Sequence, residues 1–178
     1  MPKIVEEVAY NGVVERIRRL GLSVVIQEIR QVLEGFTLEV LEQRDANGGA
    51  AVRRLIDAQF DGLQGWVKKQ TGDVDWTKCH SVNGTKVCVG VEVQVSARGD
   101  LLAVDILHLR KALVLGLIDV GVIIVPSDEL SVFLTDRGPC LSDAKKHVDA
   151  AGADDQPLLL MAFRHDGAGQ PLAKQKKN

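Results

Sequence analysis

The chain has 178 residues, 46% of them hydrophobic and 26% charged, with a formal net charge of −2. That is enough chain to bury a core as one domain, 1–178, and too apolar a composition to stay disordered. The near-neutral balance excludes a strongly basic nucleic-acid-binding domain, so any positive surface has to be local.

The opening "MPKIVEEVAYNG" lacks a charged segment leading into a long apolar run. No apolar stretch approaches the roughly 20 residues that span a bilayer, so neither export signal nor membrane span is expected and the protein is read as cytoplasmic. "VVERIRRLGLSVVIQEIRQVLEGF" follows, with Val24, Ile26, Ile29, Val32 and Leu33 at near-helical spacing, and opens a helical part over about residues 1–70. "TLEVLEQRDANGG" reads as a short strand entering a turn, and "AAVRRLIDAQFDGLQGW" as an amphipathic helix with Val52, Leu55, Ile56, Phe60 and Leu63 on one stripe. Basic clusters at 15–20, 53–54 and 68–69 read as solvated helix faces or as local cationic patches. After the polar connector "KKQTGDVDW" the period changes to two: Val87, Val89, Val91, Val93 and Val95 line one strand face, and Cys88, Gly90, Glu92 and Gln94 the other. The preceding "VNG" reads as a hairpin turn.

Downstream, "LLAVDILHLRKALVLGL" returns to helical spacing, "IDVGVIIVP" is a strand buried on both faces, "CLSDAKKHVDAAG" a short helix and "PLLLMAF" a last strand. Residues 166–178 read as a frayed tail. The sum is an α/β fold, a mixed central sheet flanked by helices, with the sheet and its helices over about 71–165. Cys79, Cys88 and Cys140 form no CxxC pair and read as reduced thiols, without the fourth ligand a zinc site needs.

Glu92 and Gln94 are the residues that carry chemistry. Spacing alone leaves them either solvent-facing on a one-sided sheet or buried in a polar cleft; Gly90 beside them leaves room for a ligand or marks a bulge. "VNGTKVCVGVEVQV", followed by a helix and "GLIDVGVIIVPSDEL", resembles the BglII/BstYI group of type II restriction endonucleases, relatives of BamHI within the PD-(D/E)XK nuclease fold. The resemblance covers roughly residues 48–135 and includes Gly65–Trp66. It implies Glu-X-Gln at Glu92 and Gln94, and an aspartate nine positions before the glutamate, where this chain has Asn83. Three explanations stand open: an Asp-to-Asn change that silences the site, a naturally degenerate site, or a different alignment in which Asp73 or Asp75 supplies the carboxylate.

The resemblance further implies a Mg²⁺ site formed by the side chain at Asn83, by Glu92 and by the backbone carbonyl of Val93. Gln94, a neutral amide in the place of the more usual lysine, would orient the attacking water. Double-stranded DNA is the implied partner, cut by a homodimer at a short palindrome, in the resembling enzymes six-base sites around GATC. Ser96, Ala97 and Arg98, just past the strand, are the first candidates for contact with bases; Asp136 and Arg137 in "TDRGP" are suited to a G·C pair, and Ser127 and Asp128 are a third option. His80 is placed to touch a phosphate, while His108, His147 and His165 have no nucleophile beside them. Rival readings are a DNA-binding or regulatory module whose site has decayed at Asn83, and an α/β interaction domain with an exposed Glu/Gln face.

Overall fold

In a computed structural model describing residues 3–69, 71–96, 101–135 and 138–174, the valine ribbon becomes strand β5 (Thr85–Val93) inside a six-stranded mixed sheet. Its neighbours are β1 (Ile4–Ala9), β3 (Trp66–Lys68), β4 (Trp76–Val82), β6 (Val120–Pro126) and β7 (Leu158–Phe163), in the order β1-β7-β6-β5-β4-β3. The strands β5, β6 and β7 are parallel, whereas the β1/β7, β3/β4 and β4/β5 pairs are antiparallel. Parallel neighbours need crossovers. Helix α4 (Leu102–Val114) carries the chain from β5 to β6, and α5 (Asp128–Phe133) with α6 (Leu141–Ala150) carries it from β6 to β7.

Each face of the sheet has its own core. Val87, Val89, Val91 and Val93 pack under α1 (Val13–Arg19), α2 (Ser23–Glu34) and α3 (Gly49–Asp61), together with Val122, Ile124, Met161 and Phe163. Cys88, Ile123, Val125, Leu158 and Leu160 form the opposite core with Leu102, Ile106 and Leu109 of α4 and Ala144 and Val148 of α6. Alternation along β5 therefore directs the valines to the N-terminal helices and Glu92 to α4. The corner between α3 and the sheet edge is aromatic: Phe60 stacks on Trp76 with ring centroids 5.1 Å apart and meets Trp66 edge-on at 4.8 Å.

Strand β1 has no signature in the sequence, because its exposed Glu6 and Glu7 interrupt any apolar alternation; an edge strand needs only one partner, here β7. Cys79 and Cys88, expected as reduced thiols, face one another across the β4–β5 register and are disulfide-bonded, while Cys140 is free. The space left by Gly90 is filled by protein, since a Cβ there would meet Ile118 Cδ1 at 2.7 Å. Residues 166–174, read as a loose tail, are tied down: β8 (Gly167–Ala168) pairs in parallel with β2 (Glu39–Val40).

Asn47 secures this region from a fully buried position. Its Oδ1 accepts from the backbone N–H of Leu41 at 3.0 Å and of Leu172 at 3.1 Å, and its Nδ2 donates to the carbonyls of Leu41 at 2.8 Å and Phe133 at 2.9 Å. Replacing it with alanine leaves buried backbone groups unpaired, and Asn47→Ala should lower the unfolding free energy by about 3 kcal/mol, read from the denaturant midpoint at unchanged slope.

Candidate active site

The β4–β5 hairpin turns at Asn83–Gly84, whose φ angles of 51° and 80° are those of a two-residue type I′ turn. From that turn the register runs Val82 opposite Thr85 to Trp76 opposite Val91, so Asp75, one residue before β4, stands beside Glu92. Asp75 Oδ2 accepts from the Val93 N–H at 3.0 Å. Asn83 lies at the other end of the ribbon, exposed and separated from Glu92 by the extended run that starts at Thr85, hence roughly 20 Å from it. The structure thus separates Asn83 from Glu92, Gln94 and the Val93 carbonyl and brings Asp75 to them. Asparagine before glycine suits the left-handed turn, which accounts for the residue without reference to catalysis.

Glu92 and Gln94 are buried, 1% and 6% exposed, which decides between the two readings of this face. Helix α4 closes the site with two residues one turn apart. His108 Nδ1 lies 3.2 Å from Glu92 Oε1, and ligating atoms of Glu92, Asp105 and His108 fall within 4.8 Å of one another, a group able to hold a metal ion. Gln94 Nε2 and Asp105 Oδ2 are buried and have no hydrogen-bond partner among the described residues. The side chains of Asp105 and His108 were legible only as i, i+3 neighbours on a helix; nothing in their spacing tied them to β5.

Arg53, expected on a solvated helix face or in a local cationic patch, is largely buried beside the site. Its Nη1 donates to the Val93 carbonyl at 2.6 Å and lies 3.0 Å from Asp75 Oδ2, while its Nε donates to Asp57 Oδ1 at 2.9 Å. Asp57 in turn accepts from Lys68 Nζ at 2.9 Å and Trp76 Nε1 at 3.0 Å. The close approach of α3 depends on Gly49, where a Cβ would stand 2.2 Å from the Val95 carbonyl oxygen.

The electrostatics follow from burying three carboxyl groups together. Burial pushes Glu92 up to about 10, reinforced by the charges of Asp75 and Asp105, so at neutral pH it is protonated and donates to Asp75. Burial and the Asp75 charge raise Asp105 to about 7, with Arg53 opposing. Burial also disfavours ionised Asp75, but hydrogen bonding and charge from Arg53, with the Val93 N–H, hold its carboxyl below the usual range. Two buried carboxyl groups and a backbone carbonyl converging at a strand end are the oxygen donors a hard divalent cation prefers, and such a cation would supply the positive charge that Glu92 and Asp105 lack. The residues present fit the group.

Of the expected base-contacting residues, Ser96 is exposed at the end of β5, whereas Ala97, Arg98, Asp136 and Arg137 lie outside the described residues. Gly138 approaches the end of this strand, for a Cβ on it would stand 3.9 Å from the Val95 carbonyl oxygen. Ser127 and Asp128 have structural duties: Ser127 Oγ caps α5 by accepting from Leu130 N at 3.1 Å, and Asp128 accepts from the N–H and hydroxyl of Ser142. His80 is exposed, paired with Val87 towards the hairpin turn and away from Glu92, and His165 lies 3.1 Å from Glu42.

A family model described as restriction endonuclease BglII/BglIII matches residues 20–172 of the chain. No curated protein matches it.

The raised Glu92 makes a signed prediction for the protein in EDTA. Between its ordinary pKa and about 10 the folded state holds a proton that the unfolded chain releases, so stability falls as pH rises through that window. Glu92→Gln keeps the shape and removes the titration. Its melting temperature should therefore exceed that of the wild type by a margin that widens from about pH 6 to about pH 9.

Proposed function

Because the chain belongs to the BglII/BglIII restriction endonuclease family, we propose that it is a Mg²⁺-dependent type II enzyme that hydrolyses phosphodiester bonds in both strands of a short palindromic DNA site, acting as a homodimer in the cytoplasm of a prokaryotic cell. The observation that carries this reading is the meeting of Asp75, Glu92 and the Val93 carbonyl at the end of β5, with Gln94 two residues on. These three oxygen donors would hold the cation. When bound, it supplies Lewis acidity at the phosphate and acidifies a water. Glu92 would give up its proton to solvent on becoming a ligand, and Asp75 would stay ionised. Gln94, whose Nε2 is unpartnered among the described residues, has an amide able to donate to the phosphate and accept from the attacking water. His108, held by Glu92, and Asp105 line the opposite wall and can take up a proton from that water. Ser96, Ala97, Arg98, Asp136 and Arg137 are the residues we assign to contact with the bases. Among the described residues no helix is long and apolar enough to cross a membrane.

A second copy has a suitable surface. Val104, Leu107 and Val114 lie on the outward face of α4, with Leu115 following, and Val114 is 73% exposed. An apolar stripe on the helix that lines the site is where a two-fold partner would bury surface and place two sites on one duplex. The rival decayed DNA-binding module depended on Asn83, and it loses that support if Asp75 supplies the carboxylate.

Purified protein incubated with plasmid DNA and Mg²⁺ should yield discrete fragments. Glu92→Gln and Asp75→Asn should each slow cleavage by at least about a hundredfold. Asn83→Asp should leave the rate within about a factor of two, as expected for a surface substitution in a turn that accepts either residue. Retained duplex binding with no fragments from the wild type would favour the binding module instead. For the assembly, Leu107→Glu should shift the sedimentation coefficient from dimer to monomer and abolish double-strand cutting; an unchanged coefficient would place the interface elsewhere.

A further inference from the structure

We infer that Arg53 is the built-in cation of the resting site: its guanidinium occupies the point between Asp75 and the Val93 carbonyl that a divalent cation would take, so that arginine and metal would exclude one another. This inference rests on the metal-site reading above and adds a competitor to it.

A single nitrogen carries the argument. Arg53 Nη1 is the common partner of Val93 O at 2.6 Å and Asp75 Oδ2 at 3.0 Å, two of the three oxygens assigned to the cation. A hard cation needs the lone pairs of those same oxygens, and two positive centres cannot share them at contact distance. Nor is the arginine there by chance of a surface rotamer. Its side chain is 18% exposed, and its Nε is anchored on Asp57, which Lys68 and Trp76 hold in turn. Stacking of Trp76 on Phe60 of the same helix fixes the distance between α3 and β4. The Asp57 anchor survives when Nη1 is displaced, so the guanidinium can swing aside about its Nε without losing every partner. In the absence of metal the arginine keeps Asp75 and the Val93 carbonyl aligned and offsets part of the buried negative charge. The same contacts must be broken for metal to enter, which weakens its binding.

The test uses the full chain without DNA. Binding of Mn²⁺ is measured by the loss of the free-ion electron paramagnetic resonance signal, and melting is measured in EDTA and in saturating Mn²⁺. Arg53→Ala should melt below the wild type in EDTA, bind Mn²⁺ about tenfold more tightly, the scale of charge-assisted hydrogen bonds no longer lost on metal entry, and recover its melting temperature when loaded. Arg53→Lys should bind with intermediate affinity. A merely structural arginine predicts the opposite direction: Mn²⁺ binding unchanged or weaker in Arg53→Ala, with Asp75→Asn still abolishing it, would overturn the inference. Unaltered binding in Asp75→Asn would overturn the metal-site reading itself. If Arg53→Ala does not fold in EDTA, the wild type decides by nuclear magnetic resonance. Saturating Mg²⁺ should shift the side-chain ¹⁵Nε resonance of Arg53, identified by its loss in Arg53→Lys, and an unmoved resonance would overturn the competition.

Discussion

Two carboxyl groups forced together across a buried strand pair are the constraint on which the rest of the site depends. Asp75 and Glu92 face each other because the β4–β5 register places them so, and burial denies both the solvent that would let them ionise independently. The protein meets this cost with a proton on Glu92, the Val93 N–H on Asp75 and the Arg53 guanidinium at the edge. A bound cation would compete with the first and the last of these for the same oxygens. A site whose charge is held by removable parts is suited to exchange them for a metal, whereas a structural ion pair would be closed.

The architecture around the pair keeps it in place. Valines on the other side of β5 lock the ribbon against α3, which carries Arg53 and Asp57, and α4 comes down on the acidic face with Asp105 and His108. The hydrophobic alternation of one strand thereby sets which helix meets the edge at Asp75 and which meets Glu92. The Phe60, Trp66 and Trp76 corner, with Trp76 Nε1 on Asp57 and Trp66 Nε1 on Glu28, holds the far side of α3.

Much of this was legible in the sequence where a period is strong. The valine alternation located β5 and put Glu92 and Gln94 on one face, and the apolar spacing of Val52, Ile56 and Phe60 located α3. The resemblance to BglII-like enzymes agrees with the family to which the chain belongs. The partner of Glu92 stayed open between Asn83 and Asp73 or Asp75 because a fixed offset along the chain says nothing about register. Yet the "NG" turn was already visible, and pairing residue for residue outward from Asn83–Gly84 leads from Glu92 to Asp75. Arg53 and His108 were hidden for another reason: Arg53 lies on a helix well before β5 and His108 on the helix that follows it, and only packing shows which of their faces meets the strand. Segment 166–174 was misread because its order comes from Asn47 and β2 rather than from any pattern of its own.

The central claim is that the cation site is built on Asp75, not on Asn83. Iron(II) substituted for Mg²⁺ and treated with ascorbate generates hydroxyl radicals at the bound ion, which cut the polypeptide only within a few ångströms of it. Mass spectrometry of the fragments should find breaks adjoining Asp75 and Glu92–Val93. Breaks at Asn83–Gly84, with the chain intact around Asp75, would contradict the account.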